Sequence, residues 1–178
     1  MEKGLVHVYI GDGKGKSTAA FGLAMRCYGA GGNVCVLQFL KPFESGEAAA
    51  ICALSDARFR VLRFESEHDL VFDDHTELDL EYLKKDILKA YAYALKTAKS
   101  GECDLLVLDE ILWAHYFKFI TLEELLALIH EKSEHTELVL TGRNAPDEVF
   151  ALADYITNMQ AQKHPYNQGI EARKGIEF

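Results

Sequence analysis

The chain has only three prolines in 178 residues. It has no Pro/Ser-rich linker, internal repeat or low-complexity tract, so residues 1–178 are expected to form one domain, long enough to bury a real core. It has no C-x-x-C pair. The four cysteines, Cys27, Cys35, Cys52 and Cys103, therefore build no zinc ribbon or redox motif and read as small, buried, reduced thiols. Basic residues are in deficit: 19 Lys and Arg against 28 Asp and Glu give a formal net charge of −9. That argues against a general nucleic-acid binder, whose surface would be basic, but leaves room for a local basic pocket around one polyphosphate. The opening "MEKGLVHVYIG" is too short an apolar run for a secretion signal, and no run reaches membrane-spanning length. A cytoplasmic location with no membrane partner is expected. The seven histidines are scattered, and no Ser-His-Asp or Cys-His constellation emerges.

What is present is an alternation of short apolar runs and helical patterns. Strands are expected over Leu5–Ile10, Asn33–Leu40, Arg58–Phe64 (nearer an edge, because it alternates), Asp104–Glu110, Glu137–Gly142 and Tyr155–Met159. Helices are expected over Ser17–Tyr28, Leu80–Ala98, Thr121–Lys132 with a Thr121/Glu124 capping box, and Asn144–Ala153 with Asn144 as an N-cap candidate. Strands apolar on both faces and separated by helices imply an α/β fold: a mostly parallel sheet with helices on both faces, and ligands beyond the strand carboxyl ends.

The stretch "GDGKGKST", Gly11–Thr18, sits between the first strand and the first helix. Gly15, Lys16 and Ser17 match the end of the phosphate-loop pattern G-x-x-x-x-G-K-[ST]. The pattern then wants a glycine at Ile10, so counting from Gly11 the loop is one residue short. Its chemistry still suits a polyphosphate. A helix N-terminus presents unpaired N–H groups and a positive dipole end. Gly11, Gly13 and Gly15 let the backbone approach phosphates. Lys16 can charge-pair with terminal phosphate oxygens, Lys14 adds a more exposed charge, and Ser17 can offer a hydroxyl to Mg²⁺. "LLVLDE" resembles a Walker B strand, with Asp109 as a metal-holding acid and Glu110 either orienting a water or supporting the metal shell. Arg143, in "TGR", points either to phosphate or ribose or to an ion pair with Glu110. Lys41 follows the second strand at the ligand end. Arg26 lies too far along the first helix to reach phosphates from its own first turn, and would act from another face or in a partner subunit. His7 reads as a core or edge residue, and Trp113 as a core aromatic.

Three stretches together resemble a known family. "GDGKGKSTAAFGLAMRCYGAGGNVCVLQFLK", "LLVLDEILWAHYFKFITLEELLALI" and "TGRNAPDEVFALADYITNMQAQKHPYNQGIEARKGIEF" are similar to the corrinoid adenosyltransferases of the cobalamin pathway. Those enzymes show G-N-G-K-G-K-T-T-A-A-F-G, V-x-Q-F-x-K and a closing H-x-x-x-x-G-I-x-A-x-x-G-I-E-F run. The resemblance covers most of the chain and is poor from Pro42 to Thr97. It implies a RecA-like P-loop fold, a homodimer, and transfer of the adenosyl group of ATP to cobalt(I) of a corrinoid with release of triphosphate. Mg²⁺ and a separate cobalt reductase are also implied. In that family the short loop is the norm and ATP lies in the reverse of the usual direction. The implied ATP site is Gly11–Thr18, including Asp12 and Thr18, with Arg26, Lys41 and Arg143. Lys16, Asp109 and Glu110 are the catalytic set, Ser17 and Asp109 the Mg²⁺ ligands, and Phe72 and His164 the corrinoid contacts. The chain departs from the family in Asp12 for Asn, in Ser17 for Thr, and in a first strand that begins almost at Met1, where many relatives carry a helix over the site. A RecA-like ATPase or small-molecule kinase acting at the γ-phosphate is the alternative, and a nucleotide or corrinoid carrier is a third reading.

Overall fold

A computed structural model describes residues 3–41, 45–64 and 77–177. Six strands form one sheet in the order β3-β2-β4-β5-β1-β6. They are β1 (Val6–Ile10), β2 (Val34–Gln38), β3 (Phe59–Arg63), β4 (Leu105–Asp109), β5 (Glu137–Thr141) and β6 (Tyr155–Asn158). Every pairing is parallel, as expected for strands joined by helical crossovers. The α/β class and the helix-covered parallel sheet are therefore present, and the glycine-rich loop joins β1 to the first helix as expected. One strand, β5, stands between the phosphate-loop strand β1 and the acid-bearing strand β4.

Period-2 alternation divides the core between the two faces. Cys35, Leu37, Leu106, Leu108, Leu138 and Leu140 join one cluster. It is covered by α3 (Glu77–Ser100), α5 (Leu122–Glu131) and α6 (Asp147–Leu152). Val34, Val36, Leu105, Val107 and Val139 join the other, with Ala20, Phe21 and Ala24 of α1 (Lys16–Gly29) and Ile51 of α2 (Gly46–Leu54). The central strands β2 and β4 are buried at all five positions. Each fully buried leucine there contributes about 1.5–3 kcal/mol. α5 starts at the expected capping box: Thr121 Oγ1 accepts from Glu124 N at 3.2 Å, and Glu124 Oε2 accepts from Thr121 N at 2.8 Å.

Several expectations change. α6 starts at Asp147 with Pro146 as its N-cap, not at Asn144, because the residue before a proline is pushed out of the helical region. The short helices α2 and α4 (Ile111–Tyr116) were not anticipated. Cys52 is exposed and Cys27 half-buried, so only Cys35 and Cys103 are the buried thiols expected. Burial pushes those two up to about 11 and about 12. His7 fits its core-or-edge reading: it bonds Glu137 and stacks on Tyr155 with ring centroids 4.5 Å apart. Trp113 is only partly buried, and stacks with the exposed Tyr116 at 4.8 Å.

Candidate functional site

The register places a polar row at the carboxyl end of the sheet, on the face that α1 covers. Gln38 pairs with Asp109 across β2 and β4. Thr141 follows Leu140, the partner of Leu108, and pairs with Tyr9 of β1. Because Val36, Val107 and Val139 face α1, the residues two further on, Gln38, Asp109 and Thr141, face the same way.

Asp109 is fully buried, and a buried carboxylate must be compensated. Its Oδ1 accepts from Ser17 Oγ at 2.8 Å and from Thr141 Oγ1 at 2.9 Å. Its Oδ2 lies 2.9 Å from Lys41 Nζ and 3.5 Å from Gln38 Nε2. Lys41 Nζ also donates to Ser17 Oγ at 3.3 Å. An ammonium thus sits between the two oxygens that sequence reasoning assigned to a metal. Glu110, next in the chain, adopts a left-handed conformation (φ 63°), a strained geometry for a non-glycine residue. Its N–H donates to Thr141 Oγ1 at 2.8 Å. Burial, then the neighbouring Asp109 charge, raises its carboxyl above the usual range.

The phosphate loop closes onto α1 without a side-chain cap, so the N-terminal amides of that helix face outwards from its first turn. Lys16 Nζ donates to Gly11 O at 2.7 Å and Gly13 O at 2.8 Å. Burial lowers its pKa, and Glu110 is the largest opposing influence. Gly11 has φ +112°, and a Cβ there would stand 2.3 Å from Met159 O. Gly13 N donates to that same carbonyl at 2.7 Å, and Met159 N to Ile10 O at 2.8 Å. The glycines expected to admit phosphates therefore also admit the backbone that follows β6.

A cleft of about 780 Å³ joins these parts. Its walls are Gly13–Thr18, Lys41, Ser45–Glu47, Ala50, Glu110 and the C-terminal Gly175–Glu177. Lys14 reaches across it to Glu177, Nζ to Oε1, at 3.1 Å. Hydrogen bonds from Arg173, then the Lys14 contact, hold the Glu177 carboxyl down at about 2. Asp12 is turned away: its Oδ1 accepts from Ala161 N at 3.2 Å, and it lines a neighbouring cleft of about 520 Å³ with Gly11 and Arg143. Its charge tethers the C-terminal segment. Arg143 lies over Trp113 at 5.1 Å instead of pairing with Glu110, although its charge still acts on both Glu110 and Lys16.

Besides Gly11, Asp12 and Arg143, which line the neighbouring cleft, Arg26 and His164 are not brought here. Arg26 is exposed on α1, ten residues beyond Lys16, or about 15 Å along a helix rising 1.5 Å per residue. It does not line the cleft. His164 caps the short 3-10 turn Pro165–Gln168, where its Nδ1 accepts from Tyr166 N at 3.3 Å. It lines a third cleft of about 550 Å³ that Lys14 also borders. Phe72 lies outside the described residues. Sequence reasoning missed Thr141 and Gln38 as site residues. The available signal was a polar residue closing an otherwise apolar strand.

Comparison with known proteins agrees with the resemblance. The family model described as ATP:corrinoid adenosyltransferase BtuR/CobO/CobP matches residues 2–178. A corrinoid adenosyltransferase of Sinorhizobium is 33% identical over 99% of this chain and 81% of its own. One from Pseudomonas aeruginosa is 34% identical over 99% and 85%, and one from Salmonella typhimurium 27% over 99% and 87%. A solved DNA replication initiation factor aligns with 96% of this chain and 47% of its own at 13% identity and a TM-score of 0.36, a likeness that carries no argument. Among the described residues, no helix is long and apolar enough to cross a membrane. Matched from residue 2 to residue 178, the chain belongs to the ATP:corrinoid adenosyltransferase family and is an enzyme of corrinoid adenosylation.

Proposed function

We propose that this enzyme transfers the 5′-deoxyadenosyl group of ATP to the cobalt(I) of a corrinoid and releases triphosphate. The observation that carries the reading is the convergence of the loop Gly13–Thr18, Lys41 and Glu110 on one cleft, with Ser17 and Lys41 joined there to the buried Asp109. The cobalt(I) electron pair forms the cobalt–carbon bond at C5′, and the C5′–O pair leaves with the triphosphate. Negative charge develops on that leaving group, and preorganised donors aimed at it lower the barrier. The α1 amides and Lys16 supply those donors. Lys16 exchanges its bonds to the Gly11 and Gly13 carbonyls for phosphate oxygens. Lys14 and Thr18 border the same chain of phosphates. The nucleophile belongs to the substrate, so the protein needs no base or nucleophile of its own.

The donor set suits Mg²⁺, which takes hard oxygens and reaches proteins through one or two carboxylates plus phosphates. Ser17 and Asp109 would hold it, with Glu110 supporting the surrounding shell. Lys41 already places a positive charge between those two oxygens, and Gln38, whose Nε2 lies 3.5 Å from Asp109, has a buried Oε1 with no hydrogen-bond partner. When bound, Mg²⁺ supplies charge neutralisation for the departing triphosphate. Lys41 then turns from Asp109 towards phosphate. Arg143 flanks the loop at the ribose side. His164, and Phe72 in the undescribed segment, are the corrinoid contacts. We further propose a single domain acting as a cytoplasmic homodimer, with Arg26 placed to serve the partner's site, and a separate reductase delivering the electron to cobalt.

An anaerobic assay with ATP, Mg²⁺ and reduced cobalamin, followed by its spectrum and by phosphate analysis, tests the proposal. The expected products are adenosylcorrinoid and triphosphate in equal amounts. ADP without a cobalt–carbon bond would favour the kinase or ATPase alternative. Tight binding of either substrate without turnover would favour a carrier.

A further inference from the structure

Gln38 closes β2, a strand otherwise made of Val34, Cys35, Val36 and Leu37. Its residue is only 3% exposed. Its Nε2 has two acceptors, Ser45 Oγ at 3.4 Å and Asp109 Oδ2 at 3.5 Å. Its Oε1 is buried with no hydrogen-bond partner. Leaving a buried acceptor unpaired costs free energy, and in native proteins such an atom commonly marks a water, an ion or a functional role. A leucine or methionine would fill the same position without that cost.

The surroundings narrow what the oxygen awaits. The other end of the same carboxamide, Nε2, lies 3.5 Å from a carboxylate whose other neighbours are Ser17, Thr141 and the Lys41 ammonium. A cation bound to Ser17 and Asp109 brings its own hydration waters, because Mg²⁺ dehydrates reluctantly. Those waters are strong donors, and a carboxamide oxygen is an acceptor with two lone pairs.

We propose that Gln38 is a positioning residue for the divalent cation: Nε2 orients Asp109 and Oε1 accepts from a water carried by the ion. This rests on the reading that ATP enters with a divalent cation. Through Ser45, the N-cap of α2, the same side chain ties the ion's shell to Gly46 and Glu47 on the far wall of the cleft.

The test is a binding measurement without corrinoid, so no turnover occurs. Mn²⁺ binding to the ATP-loaded protein is read by the electron-spin signal of free Mn²⁺, and ATP affinity is measured with Mg²⁺ and with a chelator. Gln38→Met keeps length and burial but has neither donor nor acceptor. Gln38→Glu keeps an oxygen and serves as the second variant. For Gln38→Met the expectation is a loss of about 10–100-fold in Mn²⁺ affinity, the range for partners of metal ligands, with metal-free ATP affinity within about twofold of wild type. Gln38→Glu is expected to retain Mn²⁺ binding. Unchanged Mn²⁺ affinity in Gln38→Met overturns the proposal. Equal losses of ATP affinity with and without metal in either variant also overturn it, and make Gln38 structural. If wild-type ATP binding ignores divalent ions altogether, the metal reading itself falls, and this inference with it.

Discussion

The two sides of the phosphate loop are built differently. On one side stand β2 and β4, buried at every position. On the other stands β6, exposed at every position, with Tyr155 and Ile156 each 51% exposed. The buried side meets the loop through charge: Ser17, Lys41 and Gln38 gather on Asp109. The exposed side meets it through backbone: Met159 N and O bond Ile10 and Gly13, and Asp12 holds Ala161 N. The contrast separates side-chain contacts that gather on a buried carboxylate from backbone contacts that fix the loop's shape. Low dielectric strengthens the first set of contacts, while the second depends on close approach that only glycine allows.

Substitutions can break this contrast one side at a time. Lys16→Ala should cost roughly 10²–10³-fold in turnover by removing a preorganised donor to the leaving group, and the reduced-cobalamin assay reads it; near-normal activity would sink the site assignment. Leu108→Ala, in the buried half, should lower unfolding free energy by about 2–5 kcal/mol. Ile156→Ala, in the exposed half, should stay within about 0.5 kcal/mol of wild type. Denaturant melts of the pair measure the contrast directly, and equal losses would contradict it. Gly11→Ala should cost about 1–3 kcal/mol from its positive φ alone, plus the displacement of Met159. A shifted exchange rate at the Gly13 amide would report that displacement.

A smaller effect follows from pH. Burial lowers the Lys16 pKa, and the ammonium is the form that attracts triphosphate. ATP affinity should therefore be fully present at neutral pH and fall as pH rises through that lowered value, before the ordinary lysine range is reached. Bound triphosphate pushes the pKa back up, so binding should take up protons in the alkaline range. Calorimetry in buffers of different ionisation heat checks the sign. Glu177→Gln, which frees the exposed Lys14, should change ATP affinity least, by less than about tenfold, as for exposed ion pairs generally.

Much of this was legible in the sequence wherever local pattern decides structure. Apolar runs marked β1, β2, β4 and β5 within a residue or two of their ends, and Thr121 with Glu124 announced α5. The short helices α2 and α4 were not legible, because six to nine residues carry too little periodicity. The partnership of Gln38, Asp109 and Thr141 depends on strand register, which no local pattern reports. The Asp12 contact spans 149 positions, and a charge beside a phosphate loop gave no hint that it faces the C-terminal segment.

The central claim is that the reacting atom is C5′ and the phosphate chain leaves intact. ATP carrying heavy oxygen in the bridge between C5′ and the α-phosphate tests it in a single turnover with reduced corrinoid. The account predicts that all the label leaves in triphosphate. Label retained in a nucleoside or nucleotide product would contradict it.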